Sequence, residues 1–134
     1  MRTITAEEIE QAVYRLAKNA CLRLTPSCTR ALQKAAAAEE KESAAAFALD
    51  TVLQNADTAA REQMAVCQDT GYAVILAELG QDVHIEGGLF SDAVNSGVRR
   101  AYEDFCFRKS VCDPITRVNT ADNTPAALHT QIVA

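Results

Sequence analysis

Apolar residues in the first half of the chain recur at the spacing of an α-helix. Ile9, Val13 and Leu16 lie on one side of a helical wheel, and residues 39–62 contain a second apolar face among many Ala, Glu and Gln residues. Such faces are typical of helices that pack on a core. The pattern therefore predicts that residues 1–62 are helical.

Three polar residues predict where these helices begin. Thr5 stands three residues before Glu8, which is the spacing of a capping box. Thr25 precedes Pro26, and proline is favoured in the first turn of a helix. Ser43 is the predicted break within the Ala-rich region that follows.

The pattern changes near Met64 to short apolar runs separated by polar turns. Residues 72–77 predict a buried strand, 83–85 a short strand and 127–133 a further strand. Ser91 is the predicted cap of a long helix between the last two strands.

Helices followed by strands and mixed elements indicate an α+β fold. We expect one domain over residues 1–134, helical over 1–62 and mixed over 63–134. The last predicted strand has no element after it, and natural domains rarely leave an apolar strand edge open. The chain is therefore expected to be an incomplete domain.

Composition and charge exclude several classes of protein. The 134 residues are 49% hydrophobic and 23% charged, with a net charge of −5 and a pI of 5.0. Nucleic acid is not expected as a partner, since phosphate binding needs a basic face. Arg99 and Arg100, beside Glu103 and Asp104, predict a solvated helix face. There is no long apolar stretch and no signal peptide, so a cytoplasmic protein without a membrane span is expected.

The cysteine content favours free thiols. The five cysteines are an odd number without a secretory signal, which argues against a disulfide framework. Cys106 and Cys112 are expected to be packed as small apolar side chains. A zinc- or iron-binding module made of Cys67, His84 and one of those two cysteines stays an alternative.

The chemistry most worth testing lies in residues 67–71, which we call the cysteine loop. Cys67 is a soft ligand suited to iron–sulfur clusters or zinc, and the Asp69 carboxylate can accept or give a proton. The amide of Gln68 and the guanidinium of Arg108 can bind carboxylates. Each feature also has a local interpretation: a turn around Asp69, and a cation near a helix end.

Five blocks, in one order, resemble the N-terminal region of class I fumarate hydratases and of the α subunit of L-tartrate dehydratases. The blocks are Cys67-Gln68-Asp69-Thr70-Gly71, the residues 80–88 (GQDVHIEGG), 97–102 (GVRRAY), 108–111 (RKSV) and 119–126 (NTADNTPA). The helical first half resembles the family only in character.

The resemblance implies an iron–sulfur hydro-lyase of the tricarboxylic acid cycle. A [4Fe–4S] cluster held by three cysteines would leave one iron open to the substrate, and fumarate would be hydrated to malate. Cys67 matches the first cluster cysteine, Asp69 a proton-transfer residue, and Gln68 and Arg108 the groups that hold the dicarboxylate. Homodimers, or assembly with a β subunit, are also implied.

The sequence departs from the pattern of the family in two respects. Ala121 stands where the family usually has glycine, so a left-handed backbone there would cost about 1 kcal/mol. None of the other four cysteines matches the second or third cluster ligand. The chain alone is therefore expected to be inactive, with the rest of the catalytic domain or a β subunit completing the site. L-tartrate dehydration and a non-catalytic interaction domain remain alternatives to fumarate hydration.

Overall fold

The computed structural model describes all residues from Met1 to Ala134 and confirms an α+β fold. Its elements, in chain order, are β1 (Arg2–Thr5), α1 (Ala6–Leu22), α2 (Pro26–Ala38), α3 (Ala44–Glu62), β2 (Val74–Gly80), β3 (Val83–Glu86), α4 (Phe90–Asp104) and β4 (Ala127–Val133). Two compact units are formed, one by residues 1–18 with 69–134 and one by residues 19–68. None of the helices combines the length and the apolar character that crossing a bilayer requires.

The predicted starts of the first three helices are confirmed. The Thr5 amide donates to the Glu8 carboxylate at 2.8 Å, and the Glu8 amide donates to the Thr5 hydroxyl at 3.1 Å. These bonds, first of all the one from the Thr5 backbone, lower the pKa of the Glu8 carboxyl. Thr25 and Ser43 each accept a bond from the amide three residues later, at 3.2 Å and 3.0 Å. Local hydrogen bonds therefore determine where α1, α2 and α3 begin.

The predicted cap of α4 is wrong. The helix begins at Phe90, its N-cap is Leu89, and no side chain caps it. The Ser91 hydroxyl instead contacts the neighbouring Asp92 carboxylate at 3.4 Å. The start of α4 follows the turn at Gly87, whose φ of +83° suits glycine.

The strands form two separate parallel pairs. β1 pairs with β3, with Ile4 opposite Ile85, and β2 pairs with β4. β1 was not predicted, because its partner lies about eighty positions further along the chain and no local pattern encodes that pairing. The expectation of a buried strand is wrong for β2, since Val74 and Leu76 are 58% and 81% exposed.

The core of the first unit lies between α1 and α4. Gly97 permits the close approach, because a Cβ at this position would lie 2.6 Å from the Glu10 carbonyl oxygen. Around this contact, apolar side chains of both helices and of the segment after α4 are buried; they are Ile9, Val13, Ala93, Val94, Val98, Ala101, Tyr102 and Phe107.

The expectation of a solvated face holds for Arg99, which is exposed, but not for Arg100. Arg100 is half-buried, bonds the Glu10 carboxylate at 2.7 Å and lies 4.3 Å from the Tyr14 ring centroid. Arg99 bonds the Asp122 carboxylate at 2.8 Å. Both arginines thus join α4 to other parts of the first unit rather than to nearby acidic residues of their own helix.

The second unit is built around the α2–α3 pair. Leu22 is fully buried, and α3 is followed by its C-cap Gln63 in a left-handed conformation, with φ of +56°. The chain that leaves α3 is held at Val66, whose amide donates to the Cys21 carbonyl at 2.9 Å. The Val66 carbonyl accepts a bond from the Asn55 side chain at 2.9 Å. The residue before Cys67 is therefore held through hydrogen bonds of both its backbone amide and its backbone carbonyl.

Candidate functional site

The candidate site of the first unit lies where two parallel strands begin. Val74 at the start of β2 pairs with Ala127 at the start of β4. The polar segments that lead into these strands therefore meet at one edge of the sheet. They are the end of the cysteine loop from Asp69 onward and the loop of residues 119–125, which we call the asparagine loop.

The end of the cysteine loop is a tight polar turn. The Asp69 carboxylate accepts a bond from the Gly71 amide at 3.2 Å, which confirms the local turn that the sequence allowed. Gly71 has a φ of +70°, a conformation that residues with a Cβ rarely adopt. The Asp69 carboxylate is exposed and forms no ion pair. It can therefore still accept a proton or a second hydrogen bond.

The segment after α4 runs beside this turn. The Thr70 hydroxyl donates to the Arg108 carbonyl at 3.1 Å, and the Tyr102 hydroxyl donates to the Thr70 carbonyl at 2.9 Å. Because α4 ends at Asp104, Arg108 lies beyond the last helical turn. Its side chain is exposed and forms no ion pair, so the guanidinium can accept an external anion.

The asparagine loop is partly held by bonds between its side chains and its own backbone amides. The Asn119 side-chain oxygen accepts from the Ala121 amide at 2.7 Å, and the Asp122 carboxylate accepts from the Thr124 amide at 3.0 Å. Ala121 has a φ of +66°, so the left-handed conformation expected from the family pattern is present with alanine. The Asn119 amide group also donates to the Lys109 carbonyl at 2.9 Å.

Asn123 is the residue that the sequence reasoning missed. Its side chain is fully buried and contacts both neighbouring segments. The oxygen accepts from the amides of Ser110 and Val111 at 2.7 Å and 3.0 Å, and the nitrogen donates to the Gly71 carbonyl at 3.2 Å. Only its membership of a polar block marked it in the sequence, because asparagine in such loops usually bonds its own neighbours.

Asp122 carries the strongest electrostatic perturbation near the site. Burial is the largest single influence and raises its pKa. The bonds from Arg99 and Thr124 together outweigh burial and lower the pKa from 3.8 to about 2. Asp122 therefore stays charged and fastens the asparagine loop to α4.

Cys67 and Gln68 belong to the second unit, and both side chains are exposed. No three His, Cys, Asp or Glu side chains of the chain lie close enough to hold a metal ion. The donor set therefore fits one corner of a cluster site but not a complete one. The expectation that Cys106 and Cys112 are packed is wrong, because both are exposed.

The relatives found among known proteins are named as fumarate hydratases or as a tartrate dehydratase subunit. The chain is 26% identical over 117 residues to the "Putative L(+)-tartrate dehydratase subunit alpha" of Methanocaldococcus jannaschii. This match covers 87% of this chain and 41% of that protein. It is 38% identical over 79 residues to the aerobic class I fumarate hydratase of Escherichia coli, covering 57% of this chain and 14% of the enzyme. The anaerobic enzyme of the same organism is 35% identical over the same length.

The chain thus spans less than half the length of these relatives. The model of the family described as fumarate hydratase (Fumerase) matches residues 10–134. The match begins within α1 and includes α2 and α3, so it extends into the helical half. With nearly the whole sequence matched, the chain belongs to the fumarate hydratase (Fumerase) family.

Proposed function

We propose that the protein is part of an iron–sulfur hydro-lyase that reversibly hydrates fumarate to malate in the cytoplasm. Family membership supports the hydro-lyase class. One observation supports the proposal most directly: the Thr70 hydroxyl bonds the Arg108 backbone at 3.1 Å. This bond joins the segment with the exposed Asp69 carboxylate to the segment with the Arg108 guanidinium, which forms no ion pair. An acid–base group and a carboxylate-binding group suit the hydration of an unsaturated dicarboxylate.

Each residue of the site has a proposed role that follows from its chemistry. Arg108 and Gln68 hold the two carboxylates of the substrate, the first as a two-pronged donor and the second through its amide group. Asp69 transfers the proton to or from the carbon next to a carboxylate. Its bond from the Gly71 amide holds the carboxylate in one orientation.

Cys67 is the proposed thiolate ligand of a [4Fe–4S] cluster. Such a cluster, when bound, supplies an iron atom that acts as a Lewis acid on the substrate. The other two ligands would come from another segment of the catalytic domain or from a second subunit, in a homodimer or a heteromer. This chain's contribution is to fix the residue before Cys67, because both polar backbone groups of Val66 are bonded.

L-tartrate dehydration is the second candidate, with this chain as part of an α subunit. It is supported by the name of the M. jannaschii relative, whose match covers 87% of the chain. A metal-binding module of Cys67, His84 and Cys106 or Cys112 is not favoured, since no group of three such side chains is formed.

The first experiment is anaerobic reconstitution of the purified 134-residue chain with iron and sulfide. We expect no stable cluster and no fumarate hydration or tartrate dehydration, because one thiolate of the required set is present. Retention of a cluster, or turnover, would contradict the proposal that the other cluster ligands come from another segment or subunit.

A chimera tests the roles of individual residues. The 79-residue segment of the aerobic E. coli enzyme is replaced by the matching segment of this chain, and iron content and hydration are measured. Cys67→Ser should abolish cluster binding, whereas the matched control Cys112→Ser should not. Arg108→Gln should raise KM for fumarate about 10-fold or more through loss of a charge-assisted pair. A cluster that survives Cys67→Ser would disprove the proposed ligand.

A further inference from the structure

Asn123 joins two segments that the proposed function needs at a fixed separation. Its oxygen bonds the consecutive amides of Ser110 and Val111, which directly follow Arg108 and Lys109. Its nitrogen bonds the Gly71 carbonyl, two residues after Asp69. One buried side chain thus touches the backbone on the arginine side and on the carboxylate side.

Both the chemistry and the backbone of this position suit asparagine. The side chain has to accept two bonds and donate one, which neither an aspartate carboxylate nor an apolar side chain can do. Its φ is +61°, a left-handed conformation that asparagine tolerates better than most residues. A fully buried polar group is stable only when its bonds are made, so the arrangement has one low-energy form.

Two other side chains also bond the cysteine loop near these segments. The Thr70 hydroxyl bonds the Arg108 carbonyl at 3.1 Å on the exposed side of the turn. The Tyr102 hydroxyl bonds the Thr70 carbonyl at 2.9 Å and the Gly71 carbonyl at 3.3 Å, and its own carbonyl accepts from the Phe107 amide at 3.0 Å. Asn123 differs in that its buried side chain bonds the backbone on both the Arg108 side and the Asp69 side directly, at Ser110, Val111 and Gly71.

We propose that Asn123 is a positioning residue that holds Asp69 and Arg108 at the separation needed to bind one dicarboxylate. The dicarboxylate in this inference rests on the proposed function, whereas the link that Asn123 makes between the two segments does not. A dicarboxylate held by Arg108 has to lie within reach of Asp69 and of Gln68 beside it, so loosening one segment relative to the other weakens binding even when each group is intact. Asn123 itself does not touch the substrate.

The test compares three variants of the 134-residue chain by NMR. Asn123→Ala removes all three bonds. Asn123→Asp keeps the size and the two accepted bonds but cannot donate to Gly71 as a carboxylate. Val98→Ala, at a fully buried position of α4, is the control for lost stability without a change at the site.

Amide exchange and chemical shifts report the geometry without a substrate. The Ser110 and Val111 amides should exchange faster in Asn123→Ala and stay protected in Asn123→Asp, relative to the global exchange of each variant. The resonances of Thr70 and Gly71 should shift in both, and not in Val98→Ala. Unchanged Thr70 and Gly71 resonances in a folded Asn123 variant would overturn the inference.

Titration with fumarate and with L-tartrate then tests the positioning role. Both Asn123 variants should bind the preferred dicarboxylate about 10-fold more weakly than the natural sequence, with Val98→Ala unchanged. Equal affinity in folded Asn123 variants would also overturn the inference. If the natural sequence binds neither ligand while the resonances respond as expected, the residues of this chain do not hold a dicarboxylate by themselves and the link through Asn123 stands. If Asn123→Ala does not fold, Asn123→Asp supplies the decisive comparison.

Discussion

Gly97 of α4 lies directly against the backbone of Glu10 in α1. A Cβ placed on Gly97 would lie 2.6 Å from the Glu10 carbonyl oxygen and 2.8 Å from the Val13 Cβ. The first of these neighbours is main chain and cannot move without displacing the helix. The absence of a side chain at this position is therefore what lets the two helices pack at this distance.

Gly97→Ala should destabilise the protein. Alanine gains about 1 kcal/mol of helix propensity over glycine, but the overlap forces the helices apart and costs more, so a net loss of about 1–2 kcal/mol is expected. Urea unfolding measures the difference. Glu103→Ala, on the exposed side of α4, is the control and should change the free energy of unfolding by less than about 0.5 kcal/mol. A Gly97→Ala protein at least as stable as the natural sequence would contradict the packing.

Ala121→Gly should stabilise the protein. Ala121 has a φ of +66°, which strains a residue with a Cβ, and glycine removes that strain. Part of the gain is lost to the greater freedom of glycine in the unfolded chain, so a net increase of about 0.5 kcal/mol is expected. Ala126→Gly is the matched control, since Ala126 is not among the residues with positive φ, and it should lower stability. Equal effects of both changes on the thermal midpoint would argue against strain at Ala121.

The Arg99–Asp122 pair should make stability depend on pH at the acid end. The folded protein holds the pKa of Asp122 at about 2, below its ordinary value of 3.8, so the carboxylate favours the folded state when charged. This contribution is fully present above about pH 4 and is lost as the pH falls towards 2. Denaturant unfolding at several pH values measures it. Arg99→Gln should flatten this part of the profile, whereas Glu103→Gln should leave it unchanged, and an identical profile after Arg99→Gln would rule out the pair as its source.

Tyr102→Phe should weaken the anchoring of the cysteine loop to α4. The hydroxyl donates to the Thr70 and Gly71 carbonyls, and Tyr102 is 2% exposed. Removing the hydroxyl leaves at least one carbonyl without its buried donor, which should cost about 1–2 kcal/mol of unfolding free energy. Tyr72→Phe, at a 49% exposed position, is the control and should be neutral. Equal stabilities of the two variants would show that the Tyr102 bonds contribute little.

The helix starts could be predicted because each depends on residues a few positions apart. Thr5 with Glu8, Thr25 and Ser43 bond their own helices, so the bonding partner is present in the local sequence. The start of α4 could not be predicted in this way, since Leu89 makes no side-chain cap and the turn before it decides the boundary.

Part of the candidate site could also be predicted locally. The turn of Asp69 onto Gly71 was one interpretation of the residues themselves, whereas the left-handed conformation at position 121 followed from the family pattern. The joining of the cysteine loop to Arg108 was expected only from the family resemblance. The structure provides its physical basis in Thr70 and Asn123, whose partners lie 38 and 52 residues away along the chain.

By itself, the sequence determined the helical periodicity, the caps of α1, α2 and α3, and the family to which the chain belongs. These depend on short-range hydrogen bonds and on an ordered set of motifs. Only the tertiary structure decided the pairing of β1 with β3, the partners of Arg99 and Arg100, and the burial of Asn123. Each of these joins residues distant in sequence. A side chain's own neighbours do not specify such a partner, because the same polar group can bond water, its own backbone or another segment until packing removes the alternatives.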